Sequence, residues 1–177
     1  MNKQHILGFF DDLVRTPVFL FLGAMFLCGA AAGGLTGLRA GEGDGAAVLS
    51  GLLAELPAHV VQSTLCALIW VLLPLVCAFL RPRELLLSAV AAARGFVLAM
   101  TVAVSVGEGN ALIIGAAGVP AVLSVSALLA ACSMVWQGGE ATGRYSLRTC
   151  RMPYFLCITL AVLSALLRAA IAALCNV

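Results

Sequence analysis

Five stretches of the sequence, at about 17–38, 59–80, 85–106, 111–136 and 154–175, run for twenty residues or more with at most one Asp, Glu, Lys or Arg in each. A helix of about 20 apolar residues crosses the ~30 Å hydrocarbon core of a bilayer. In lipid only a helix or a closed barrel satisfies its own backbone, and apolar runs of this length read as helices. The composition agrees: 63% of residues are hydrophobic and 10% are charged, against about 45–50% and about 25% in soluble domains. These values exclude a soluble enzyme, a nucleic-acid-binding domain and a disordered tail. A net charge of +2 is too small to suggest a polyanionic partner. The expectation is an all-α, polytopic integral membrane protein, with residues 1–177 forming one membrane domain and the lipid bilayer as its first partner.

Basic residues set the expected orientation. Lys3 and Arg15 precede the first run, Arg81 and Arg83 lie between the second and third, and Arg144, Arg148 and Arg151 precede the fifth. The other side carries only Arg39, while Arg94 and Arg168 lie within runs. Under the positive-inside rule this asymmetry places the N-terminus inside and, after five crossings, the C-terminus outside. The first apolar run follows Asp11, Asp12 and Arg15 and is too long for the core of a cleaved signal, so it is expected to remain as a helix.

Two further segments are expected to lie on the membrane. Ile6, Phe9, Phe10, Leu13 and Val14 fall at helical spacing, which suggests an interfacial helix at about 4–15 feeding the first span. Beyond the Gly41–Gly45 turn, Val48, Leu49, Leu52, Leu53 and Leu56 form a second apolar stripe. Pro17 and Pro153 suit helix starts, where a missing N–H costs nothing. Pro74 and Pro120 are interior and are expected to kink their helices.

Little in the sequence suggests catalysis. All eight acidic residues lie in loops or near the ends of runs, whereas proton- and cation-coupled carriers place carboxylates in the membrane interior. His5 and His59 stand apart with no metal-binding spacing, and Ser63, Ser105, Ser124 and Ser126 have no evident base. The seven cysteines, Cys28, Cys66, Cys77, Cys132, Cys150, Cys157 and Cys175, include no C-x-x-C pair and read as small packing residues. No catalytic residue, cofactor or metal is therefore expected.

Two features stand out. Arg94 lies near the middle of the third run, where a charge costs about 2.5–3.5 kcal/mol on insertion scales, so it should face protein or water. Its candidate partners are Gln62, Ser63 or Thr64, carbonyls near Pro120, or a carboxylate of another subunit. Arg168 is closer to a span end and can snorkel. Gly29, Gly33 and Gly37 form a small-residue ridge, with Gly95, Ala99 and Ala103 a softer one in the third run. Such ridges bring helices into close contact, either within the chain or at a partner or homo-oligomer interface.

The order Trp70, Pro74-Leu75, Arg94-Gly95-Phe96-Val97-Leu98, Gly107–Gly109 and Pro120 resembles the stage II sporulation protein M family. So does the opening of the first run, with Phe19–Phe21 and Gly29–Gly33. Arg94 and Gly95 would match the family's basic-Gly pair, and Pro120 its later proline. The polar break at Arg81-Pro82-Arg83-Glu84 and the reduced Gly118-Val119-Pro120-Ala121 stretch depart from the pattern. The resemblance implies a multi-pass protein of the bacterial cytoplasmic membrane, a non-catalytic scaffold of engulfment during sporulation. Its implied partners are single-span peptidoglycan hydrolases localised at the septal membrane. The competing expectation is a transport component, such as a substrate-binding subunit of an energy-coupling-factor importer. Those subunits usually have six helices.

Overall fold

The structure is a computed structural model that describes residues 15–40, 60–107, 111–142 and 147–175. The expected interfacial helix at 4–15 and the stripe at 46–56 fall on segments that lie, apart from Arg15, outside the described residues. Within them the chain is all-helical, with five helices: α1 (Pro17–Ala40), α2 (Val60–Cys77), α3 (Arg83–Gly107), α4 (Ala111–Thr142) and α5 (Leu147–Cys175). Three stretches, Pro17–Arg39 of α1, Arg83–Ala103 of α3 and Pro120–Gly138 of α4, are long and apolar enough to cross a membrane. The apolar stretches of α2 and α5 among the described residues, Leu68–Cys77 and Pro153–Leu167, are shorter.

The helix limits differ from the apolar runs where local chemistry intervenes. α2 stops at Cys77, and the chain turns ahead of Arg81, the residue that Pro82 disfavours in helix. The turn is tightened by Phe79 N–H to the Val76 carbonyl and Leu80 N–H to the Cys77 carbonyl, both 3.2 Å. α3 then begins at Arg83, with Glu84 in its first turn, where a negative charge is favourable. α4 runs six residues beyond Trp136, through Gly138 and Gly139. α5 starts at Leu147, so Pro153 lies inside the helix and not at its start. Prolines are accommodated within membrane helices when neighbouring groups take up the freed carbonyls. Pro74 and Pro120 are likewise interior, and both are fully buried.

α4 is the central helix. Residues Ala127–Val135 are buried without interruption, which a helix shows only when neighbours surround it. α1, α2, α3 and α5 all contact it. The core combines Leu22 of α1, Val71 and Cys77 of α2, Leu87, Val90 and Ala91 of α3, the buried run of α4, and Tyr154, Cys157 and Ala161 of α5. The most extensive pairing, however, joins α1 to α3. The outer faces carry large apolar side chains, Leu20, Leu27, Leu35 and Leu38 of α1 among them.

Candidate functional site

Arg94 is the largest fully buried side chain among the described residues, with 1% of its surface exposed. It projects from the middle of α3 into the junction with α2 and α4. Its Nη2 donates a hydrogen bond to Ser124 Oγ at 3.0 Å, and its guanidinium carbon stands 5.0 Å from the centroid of the Trp70 ring. A cation over an indole in a desolvated setting is worth about 2 kcal/mol or more. The charge is thus stabilised by an aromatic face from α2 and a hydroxyl from α4.

Both partners sit beside a proline. Trp70 is four residues before Pro74, so its carbonyl is the one whose helical donor the proline removes. One residue on, the Val71 carbonyl accepts a 2.5 Å hydrogen bond from the Tyr154 hydroxyl of α5. Ser124 lies one turn beyond Pro120 and is itself buried. The central polar contacts therefore gather at the two proline-bearing turns, where helix backbone is least able to satisfy itself.

Several serines of the helices are used locally. Ser133 donates to the Ala130 carbonyl at 2.9 Å and Ser164 to the Ala161 carbonyl at 2.7 Å. Ser126, exposed, donates to the Leu123 carbonyl at 2.9 Å. Such back-bonding satisfies a buried hydroxyl without any partner helix. Cys77, Cys132 and Cys157 are free thiols within the one core cluster. Among the described residues no group of three His, Cys, Asp or Glu is placed to hold a metal ion.

The glycine ridge is turned toward α3. A Cβ at Gly29 would overlap the Ala92 carbonyl, and one at Gly33 the Phe96 carbonyl. At Gly37 it would meet the Ala103 Cβ at 2.7 Å and the Met100 carbonyl oxygen at 3.1 Å. From the other side, a Cβ at Gly95 would overlap the Phe26 carbonyl. The contacts rise together along both helices, so α1 and α3 run parallel. Gly23 and Gly34 have open space instead, which separates the glycines needed for close approach from the rest.

Of the residues singled out in the sequence, Arg94, Pro74 and Pro120 thus share one neighbourhood, while Gly29, Gly33, Gly37 and Gly95 form a separate seam. The candidate partners Gln62, Ser63 and Thr64 are outside what the structure describes at side-chain level, as is Arg168. Sequence reasoning missed Trp70 and Tyr154 as polar partners. The available signal was an aromatic residue within one turn of a proline. No family model matches the chain, and neither a curated protein nor a solved structure does.

Proposed function

We propose that the chain is a non-catalytic, five-span membrane scaffold of the kind its resemblance to the stage II sporulation protein M family suggests. The observation that carries this reading is the use of the buried charge. Arg94 is engaged with Trp70 and Ser124, so the one buried cation among the described residues contributes to interhelix packing. A body held together in this way, with large apolar side chains on its outer faces, is suited to meeting lipid and other membrane helices.

The five-span arrangement draws support from helix directions. α1 and α3 run parallel along the glycine seam, as first and third crossings must. Thr16, at the start of α1, meets Gln137 near the end of α4, and Tyr154, early in α5, meets Val71 in the last half of α2. Both contacts suit oppositely directed neighbours, as alternating crossings require. Reporters fused after Gly43, after Gly139 and at Val177 should read outside, inside and outside. An internal C-terminal reporter would remove the five-span arrangement.

The transport alternative would use the glycine ridge to couple to a partner subunit, and in this fold α3 occupies that ridge. Affinity capture of the tagged chain from its native membrane discriminates the two. Single-span peptidoglycan hydrolases in the eluate support the scaffold. Energising ATPases, with no hydrolase, would overturn it in favour of transport.

A further inference from the structure

We propose that the turn joining α2 to α3 is a docking site for anionic phospholipid headgroups. The inference needs only that the helices lie in a membrane, and it stands or falls separately from the scaffold reading. The turn exposes three large apolar side chains, Phe79 at 75%, Leu80 at 50% and Leu85 at 68%. Between them in sequence stand Arg81, exposed, and Arg83, half-buried. Backbone hydrogen bonds fix this order: Ala78 N–H to the Pro74 carbonyl at 3.0 Å, Leu80 N–H to Cys77, and Leu86 N–H to the Pro82 carbonyl at 3.3 Å.

Apolar side chains so exposed are at odds with a turn immersed in water, and guanidinium groups are at odds with one immersed in hydrocarbon. At the headgroup level both are satisfied. Acyl chains cover Phe79, Leu80 and Leu85, and phosphates meet the positive charges of Arg81 and Arg83. Glu84 is also exposed and opposes an anion there, so the turn from Arg81 to Glu84 carries one net positive charge. Arg15, exposed at the start of α1, lies at the same end of the bundle because α1 runs parallel to α3. An acidic protein surface would complement the arginines but leave the apolar side chains on either side of them, Phe79, Leu80 and Leu85, uncovered, which favours lipid.

The full-length protein in nonionic detergent is titrated with phosphatidylglycerol and with phosphatidylcholine of the same acyl chains, and bound lipid is read by native mass spectrometry. The expected result is a preference for phosphatidylglycerol that falls about five-fold for each arginine neutralised in Arg81→Gln and Arg83→Gln. The preference should persist in the doubly lysine-substituted protein (R81K/R83K) and in Arg39→Gln, at the opposite end of α1. It should weaken in high salt, which screens an exposed charge. Equal binding of the two lipids to the wild type would overturn the proposal. So would an undiminished preference in folded R81Q/R83Q protein, or an equal loss in Arg39→Gln. Displacement of phosphatidylglycerol by inorganic phosphate would assign the site to a soluble anion, and displacement by an acidic peptide to a protein partner; either also overturns it. If the glutamine variants do not fold, the lysine variant and the salt titration decide: a preference insensitive to salt refutes the site.

Discussion

The two halves of this bundle are held by opposite means. Along the α1–α3 seam the backbones themselves meet, because Gly29, Gly33, Gly37 and Gly95 present no side chain where the facing helix passes. In the body formed by α2, α4 and α5, with α3 against it, side chains span the gap. Arg94 reaches Ser124 and Trp70, and Tyr154 reaches Val71. In lipid, burial of apolar surface gives helices no net drive to associate, so a membrane fold must rely on close packing or on hydrogen bonds. This chain uses the first where it has glycine and the second beside its two buried prolines, Pro74 and Pro120. The seam offers no flexible atom that can yield to a larger residue, whereas the polar body distributes its stability over several modest contacts.

That contrast predicts the largest effect at the seam. Gly33→Leu places a branched side chain against the Phe96 carbonyl, a backbone atom. The helices must separate, with a loss at or beyond the upper end of the about 1–3 kcal/mol typical of overpacking. Thermal unfolding in detergent should show a large fall in Tm or no folded protein. Gly34→Ala, one residue on, meets open space and should leave Tm nearly unchanged. Equal sensitivity at both positions would erase the distinction between the seam and the rest of α1.

Arg94 comes next. Arg94→Ala empties the space beneath Trp70 and frees the Ser124 hydroxyl, which should cost about 2–4 kcal/mol. Arg94→Leu should cost less, since a buried ion is often replaced by an apolar side chain with little loss. Arg94→Glu should prevent folding, because it sets a carboxylate against the face of an indole. A folded Arg94→Glu protein with wild-type Tm would show that the site is open to water and that packing does not depend on the guanidinium.

The seam was more legible in the sequence than the polar body. A glycine every fourth residue marks one face of a helix by period alone, and that face was open only as to whether α3 or another protein covers it. Arg94 was legible as a charge that needs a partner, yet its partners were not, because a cation over an indole leaves no pattern in spacing. Trp70 read as one more apolar residue, and Ser124 as one of several serines. The end of α2 and the early start of α5 were also hidden. Hydropathy reports where the chain is apolar, whereas the turn at Ala78–Leu80 is closed by backbone hydrogen bonds within an apolar stretch, and α5 extends through Pro153 into a basic segment that hydropathy discounts.

A smaller effect is expected where one hydrogen bond can be removed without changing shape. Tyr154→Phe keeps the ring buried and deletes only the donor to the Val71 carbonyl. The loss should be about 1 kcal/mol. It should shrink when combined with Pro74→Ala, because a regular helix relaxes the turn in which that carbonyl lies. A double-mutant cycle measured by thermal or denaturant unfolding checks this. Strict additivity would mean that the tyrosine contact is independent of the proline.

The smallest effect is expected where the two halves touch at the bundle end that carries Thr16. Gln137 Nε2 of α4 donates to the Thr16 hydroxyl at 3.1 Å, half-buried. Beside it the Phe21 and Trp136 rings meet edge to face, with centroids 5.9 Å apart and planes at 68°. Membrane hydrogen bonds of this kind average about 0.6 kcal/mol by double-mutant cycles, and an aromatic pair adds about 0.5–1.5 kcal/mol. Gln137→Leu should therefore lower Tm slightly, and Phe21→Leu by a little more. Neither should approach Gly33→Leu if α1 is held chiefly by α3. The comparison becomes sharp when Gln137→Leu is placed on a Gly33→Ala background that weakens the seam. If α1 depends first on the seam, the combined loss should exceed the sum, since the remaining ties to α4 then carry more of its attachment. If the losses simply add, α1 is bound to α3 and α4 independently, and the seam is one contact among several.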